Sequence, residues 1–212
     1  MSTKLDIFSD PVCPWCYIGK ARLDRALEQR PDHPFVIEWH PYMLNPTMPP
    51  EGMDRREYLQ AKFGPPEEVA RVHVPIAEAC AELGLPLALE KMERNPSTLN
   101  AHRLIHWAGL EGRQSAVVSA LFRANFAEGR DIGDSEVLLD IAEKSGLDRA
   151  MIERLLDSDA DVAETRQRDA EIRERGLRGV PGFLLGRQYV LTGAQPVETW
   201  LDLIDQISAA SA

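Results

Sequence analysis

The chain opens on a short apolar run, Leu5, Ile7 and Phe8 within "KLDIFSD", that ends at a Ser-Asp-Pro breaker and so reads as a short strand. From Cys13 the spacing becomes helical. Ile18, Ala21, Leu23, Ala26 and Leu27 recur every three or four residues until Pro31 and Pro34 stop the pattern. Residues 34–44, "PFVIEWHPYML", predict a second strand, with Val36, Ile37 and Trp39 ahead of Pro41. Strand, helix, strand makes one βαβ unit with its strands parallel.

From Asp54 to about Gly176 the periodicity is helical almost throughout, punctuated by Gly64, Pro65, Pro66, Gly84, Pro86, Asn95, Pro96, Gly112, Gly133 and Gly146. Asp54 and Glu57 stand in a capping-box arrangement, and Val69, Val72, Ile76, Ala79, Cys80 and Leu83 share one face of the next segment. No strand is expected inside this block. After Gly176, "GVPGFLLG" and "QYVLTG" form two apolar runs around Gly186 and Arg187, which predicts an antiparallel hairpin, and residues 196–207 read as a closing amphipathic helix. The expected fold class is α/β, a thioredoxin-like order β-α-β … β-β-α carrying a large all-helical insertion. The expected parts are residues 1–53, the insertion 54–176, and residues 177–212.

Composition narrows the chemistry. With 24 basic and 34 acidic residues among 212, the net charge is −10 and the pI near 5.0, so there is no electrostatic footprint for a phosphate backbone and nucleic acid is not an expected partner. "MSTKLDIFSD" carries one Lys and lacks the apolar run of roughly 7–15 residues of a secretory leader. No stretch reaches the ~20 apolar residues of a membrane span. A cytoplasmic protein is expected. Its three cysteines, Cys13, Cys16 and Cys80, are too few for a disulfide-stapled secreted scaffold.

"SDPVCPWCYIGK" therefore poses a choice between metal binding and redox chemistry. A zinc site needs about four ligands and this pair supplies half of them. His102 and His106 stand at i,i+4 in "NAHRLIHWA", but Arg103 occupies the place where a metalloprotease carries Glu, and the bland reading of both histidines is a packed helix. No metal is expected. A C-x-x-C where a strand turns into a helix inside βαβ is instead the thioredoxin-type redox arrangement. Cys13 then sits at a helix N-terminus, where unpaired N–H groups favour the thiolate, and Pro14 suits the first helical position. Cys16, most of a turn further on, is placed to resolve a mixed disulfide formed by Cys13. Trp15 is either an apolar docking surface beside the sulfur or a cover for the helix end. It cannot donate a charge-stabilising hydrogen bond as a protonated histidine would, so Cys13 is expected to be less acidic than in strongly oxidising relatives.

Downstream, "RGVPGFLLG" puts Val180 and Pro181 directly ahead of an apolar strand. In the thioredoxin topology that spot faces the redox pair and holds a cis proline, whose missing N–H keeps the backbone from bonding the sulfurs. Taken with "FSDPVCPWCYIGK", "IEWHPYMLNPTMPPEG", "YLQAKFG", "NPSTLNAHRLIHWA" and "GVPGFLLGRQYVLTGAQP", the chain resembles the DsbA-like thioredoxin superfamily over nearly its full length. Within it, the chain looks like the cytoplasmic FrnE-type oxidoreductases. The resemblance implies a Cys13–Cys16 redox disulfide and a cis Pro181 whose neighbour Val180 pairs with an extended protein or small-molecule thiol or disulfide. Members with a second C-terminal cysteine pair differ from this chain, which has no cysteine after Cys80; Cys80 reads as a core residue.

Two other functions stay in view. The 2-hydroxychromene-2-carboxylate isomerases and kappa-class glutathione transferases resemble the chain in "GVPGF" and "GAQP", but they usually hold a serine where Cys13 stands. Glutathione remains a candidate thiol co-substrate, with Asn45, Asn100 and His102 as candidate groove residues, and no tightly bound cofactor is expected. The third function is a non-catalytic client-binding holdase on the same fold.

Overall fold

The structure is a computed structural model that describes residues 2–210; Met1, Ser211 and Ala212, at the ends of the expected first and last parts, lie outside the described residues. The first strand, β1 (Thr3–Ser9), leads through a turn into α1 (Pro14–Gln29) and back along β2 (Phe35–Pro41), and the two strands pair in parallel from Thr3 with Phe35 to Ser9 with Pro41. Near the other end of the chain, β5 (Gly182–Leu185) and β6 (Tyr189–Thr192) form a hairpin, with β5 antiparallel to β1, before α9 (Val197–Ala210). Three residues, Gly186 to Gln188, join the paired Leu185 and Tyr189; Gly186 and Arg187 both take positive φ, 58° and 61°, inside a turn closed by the Gln188 N–H donating to the Leu185 carbonyl at 3.1 Å. The sheet order is β2-β1-β5-β6.

Alternation along β1 divides the two faces of this sheet. Leu5 and Ile7 are fully buried and share a face with their partners Phe183 and Leu185, where Trp200 of α9 meets Phe183 at 4.8 Å and Phe35 at 6.4 Å between ring centroids. α1 packs against α9. Lys4, Asp6 and Phe8 turn to the opposite face, with Glu38, His40 and Leu184 beside them in register.

Between β2 and β5 lie α2 (Arg55–Phe63), α3 (Pro66–Glu82), α4 (Leu99–Leu110), α5 (Gln114–Phe122), α6 (Ser135–Lys144), α7 (Arg149–Leu156) and α8 (Val162–Glu174). Asp54 caps α2 as the first half of the box requires, its Oδ1 accepting the Glu57 N–H at 3.0 Å. The block departs from the all-helical expectation at one place: β3 (Met53–Asp54) pairs antiparallel with β4 (Arg94–Asn95). Two residues are too short to alternate, so no strand period could appear in the sequence. α4, α5 and α8 all touch β2, and α3 touches α1, so the helical block shares one core with the sheet. Cys80 is part of that core at 1% exposure, where burial pushes its thiol pKa up.

Candidate active site

Ser9 closes β1, and the Cys13 N–H donates to the Asp10 carbonyl at 2.9 Å, which turns the chain into α1. Cys13 is the N-cap residue, in extended backbone with φ −86° and ψ 114°, and Pro14 is the first helical residue. The N–H groups of Cys16 and Tyr17 return to the Cys13 carbonyl at 3.1 and 3.2 Å, so the second cysteine is fixed within the first turn. All three cysteines carry free thiols. Cys13 is 4% exposed and Cys16 1%, whereas Trp15 between them stands at the surface with 36% of its area open. Burial pushes the Cys16 thiol well above the ordinary range and the neighbouring Cys13 adds to the shift, partly offset by the Asp10 N–H and the Ser9 hydroxyl.

Facing the pair is the start of β5. The Cys13 thiol lies 3.7 Å from the Val180 carbonyl oxygen, to which it donates, and the Val180-Pro181 peptide bond is cis. The Pro181 carbonyl accepts the Gly193 N–H at 2.8 Å, and Arg22 of α1 donates to the Ala194 carbonyl at 2.7 Å, tying α1 to the segment that follows β6. Gly19, one turn beyond Cys16, lets Pro181 approach the helix: a Cβ built there falls 3.0 Å from Pro181 Cγ. Glycine inside a helix costs about 1 kcal/mol relative to alanine, so "CYIGK" carried a signal of close approach that the apolar pattern does not register. Gly19→Val should push Pro181 away from α1 by several tenths of an ångström or more while the protein stays folded. A crystal structure of the variant beside circular dichroism checks this; an unmoved Pro181 would mean that the contact does not position it.

The helical block supports the site from behind. Tyr17 donates to the Pro86 carbonyl at 3.2 Å and packs on Phe122 and Phe126. A π-helical turn, Arg123–Ala127, follows α5 and brings in Asn125, which is 1% exposed and donates to the Pro11 carbonyl at 3.3 Å. Asn125 is a polar residue inside the apolar run "ALFRANFA", the one sequence signal that marked it. Asp10 is fully buried; its Oδ2 accepts the Leu44 N–H at 2.7 Å, and its Oδ1 lies 3.5 Å from His102 Nε2.

Those contacts locate the remaining candidates. His102 is only 4% exposed, so it belongs to the wall behind the turn from Asp10 to Cys13 and is no open-groove residue; the helical spacing of α4 turns it inward. Asn45 exchanges two hydrogen bonds with Tyr58, at 2.8 and 3.0 Å, and Asn100 accepts from Arg103 at 2.8 Å, so both amides are engaged within the fold. Cys13, Cys16, Val180 and Pro181 come together; Trp15 and Pro14 lie between the cysteines.

On the opposite sheet face, Asp6 takes hydrogen bonds from Lys4 at 2.9 Å and His40 at 2.6 Å, with Glu38 2.7 Å from the same lysine. Burial works to raise the Asp6 pKa, but the bonds from Lys4 and His40 outweigh it and hold the carboxyl below its ordinary value. A lowered native pKa means stability that is present above the ordinary carboxylate range and lost as the pH falls through the native value. Wild type should therefore exceed Asp6→Asn by about 1–3 kcal/mol at neutral pH, with the gap closing below pH ~4. Urea unfolding across pH reads it, and a pH-independent gap would refute the assignment.

A family model described as a DSBA-like thioredoxin domain matches residues 4–205. The chain belongs to the DsbA-like thioredoxin family. The crystal structure of a probable DsbA oxidoreductase, SCO1869 from Streptomyces coelicolor, matches this DsbA-like chain with a TM-score of 0.85 at 32% identity, covering 96% of this chain and 89% of that one. The sequence is 27% identical over 196 residues to the uncharacterized protein YwbO of Bacillus subtilis (strain 168), covering 92% of each. It is also 24% identical over 192 residues to 2-hydroxychromene-2-carboxylate isomerase of Pseudomonas putida, covering 86% of this chain and 85% of the other.

Proposed function

We propose that this DsbA-like protein is a thiol:disulfide oxidoreductase that cycles a Cys13–Cys16 disulfide. One observation carries the reading: Cys13 caps α1 with its sulfur 3.7 Å from the Val180 carbonyl, while Cys16 is sealed one turn inside the helix. Cys13 as thiolate attacks a client disulfide; one client sulfur leaves and takes up a proton, and a Cys13–client mixed disulfide forms. Cys16 then gives up its proton and attacks Cys13 Sγ, the mixed disulfide breaks, and the second client sulfur leaves as thiol. Two client thiols are produced and two electrons have left the cysteine pair. Run backwards, the same steps oxidise a dithiol.

Burial decides the order of attack. A thiol held well above its ordinary pKa is a poor first nucleophile, so Cys16 acts only on the sulfur already beside it. Pro14 and Trp15 offer an apolar, uncharged lip on one side of Cys13, and Val180 and Pro181 the opposite wall, which suits an extended polypeptide or a small disulfide. Glutathione is the thiol we assign to return the oxidised pair to its reduced form. We place the protein in the cytoplasm, consistent with its low cysteine usage. Among the described residues no helix is long and apolar enough to cross a membrane.

Similarity to an isomerase favours a second reading, in which one cysteine only steadies a bound thiol. Alkylation before and after oxidation by a glutathione redox buffer separates the two. Exchange chemistry requires two modifiable thiols to disappear together at one potential; a steady count of modifiable thiols across the buffer range would overturn it. The midpoint also sets the direction of flow, since a pair above the cytosolic poise oxidises and one near or below it reduces.

A further inference from the structure

We propose that this protein selects extended polypeptide clients with apolar and acidic residues beside the exchanged cysteine, gripped in a groove between the end of α8, residues 176–180 and the outer face of β5–β6. The proposal rests on the exchange function above and names its client.

The groove has a volume of about 740 Å³. Phe8, Ile172, Leu177, Leu184 and Val190 supply its apolar lining, and Val180 lines its inner end. Val180 is also the residue whose carbonyl meets Cys13, so one residue borders both the groove and the cysteine pair. Gly182 keeps it in shape: a Cβ there would fall 2.9 Å from Leu177 Cδ1, so the missing side chain lets Leu177 lie on β5 and hold the loop that carries Val180. An extended chain advances about 3.3 Å per residue, so the residues two to four places from a cysteine bonded to Cys13 reach the lining.

Charge chooses among extended clients. The protein carries a net charge of −10, yet the lining includes Arg175 and Arg178 and no carboxylate. Both arginines are exposed. Among the described residues neither has an acidic partner within ion-pairing distance, while Arg168 and Arg173 of α8 are paired with Glu164 and Asp169. Beyond Arg175 lies a second hollow of about 620 Å³, bordered by Arg187 and Lys4 but also by Asp6, Glu38 and Glu171, so the unbalanced positive charge is confined to the first groove. Val190 is 63% exposed on the edge strand, an apolar side chain that folding leaves uncovered. Apolar floor and unpaired cations together fit a segment such as Leu-Glu-Glu and disfavour Leu-Lys-Lys.

Two peptides test this, each a mixed disulfide of one cysteine with a fluorescent thiol, flanked on both sides by Leu-Glu-Glu or by Leu-Lys-Lys. Each rate is divided by the rate on hydroxyethyl disulfide, which is too small to reach the groove. The acidic peptide should be favoured about fivefold, the ratio should invert in Arg175→Glu/Arg178→Glu, and it should fade at ~1 M salt, where the Debye length is about 3 Å. Val190→Asp should lower the acidic-peptide rate further than either arginine change alone. Normal turnover of hydroxyethyl disulfide with no peptide preference, or a preference for Lys, overturns the groove and leaves the exchange function standing. No turnover of hydroxyethyl disulfide overturns the exchange function; labelled peptides with serine for cysteine then decide the groove by anisotropy, tighter binding of the acidic peptide supporting it and equal binding refuting it.

Discussion

Cys13→Ala should abolish disulfide exchange, a loss on the order of 10³-fold or more, while Cys16→Ala should stop the reaction halfway with a client covalently attached. The two thiols differ in position before they differ in chemistry. Cys13 caps the helix and faces Val180, so its removal leaves no sulfur that a client can reach; Cys16, 1% exposed and held above the usual thiol range by burial, cannot replace it. Removing Cys16 leaves the first attack intact and deletes the second. The mixed disulfide then waits for an external thiol. Non-reducing mass spectrometry of Cys16→Ala after exposure to a client should find an adduct at Cys13, absent from wild type and from Cys13→Ala. Appreciable exchange by Cys13→Ala would overturn the scheme. Glutathione-dependent isomerisation that survives in Cys16→Ala would shift the assignment to the isomerase reading.

Much of this site was legible because its chemistry sits in short local patterns. Cys13, Pro14 and Cys16 form one helical turn, and their roles as cap, first residue and buried partner follow from helix geometry alone. Val180 and Pro181 were legible from fold order, since the strand that follows the insertion returns beside β1. The residues that stayed hidden act across long separations in sequence. Gly19 serves Pro181, Asn125 serves Pro11, and Asp10 reaches Leu44, and no periodicity links such pairs. His102 and His106 were legible as residues of a packed helix, but not which of the two is closed: i,i+4 spacing fixes the face of α4 they share, and only packing decides which end of that face is covered. His106 is partly open while His102 is closed, on one stripe of one helix. The short β3–β4 pairing was invisible for a different reason, because a two-residue ladder leaves no alternation.

Arg103 is where the largest stability effect is expected. In the sequence it counted only as the wrong residue for a metalloprotease helix. Folded, its side chain is almost completely buried, at 2% residue exposure. Its guanidinium donates to the carbonyls of Ala160, Leu155 and Ser158 at 2.7, 2.6 and 2.7 Å and to Asn100 Oδ1 at 2.8 Å. It lies 4.9 Å from the Trp107 ring centre. Burial lowers its pKa, opposed by Asp161 and Asp159, which is the cost of keeping a cation inside the fold. The carbonyls it satisfies belong to the end of α7 and the turn into α8, so one side chain on α4 fixes where α8 begins. From α8, Asp169 accepts the Met43 N–H at 2.7 Å, and Leu44, the next residue, donates to Asp10 ahead of Cys13. Arg103→Met keeps the apolar stem and removes the guanidinium from the carbonyls of Ala160, Ser158 and Leu155, of which Leu155 keeps the Ser158 hydroxyl at 2.9 Å, for an expected loss of about 2–4 kcal/mol against a total of roughly 5–15. Arg103→Lys should recover only part of it, because one ammonium cannot reproduce the planar fork that meets four acceptors. Urea unfolding of both variants provides the measurement. A loss below about 1 kcal/mol in Arg103→Met would show that the α7–α8 joint is held by packing alone.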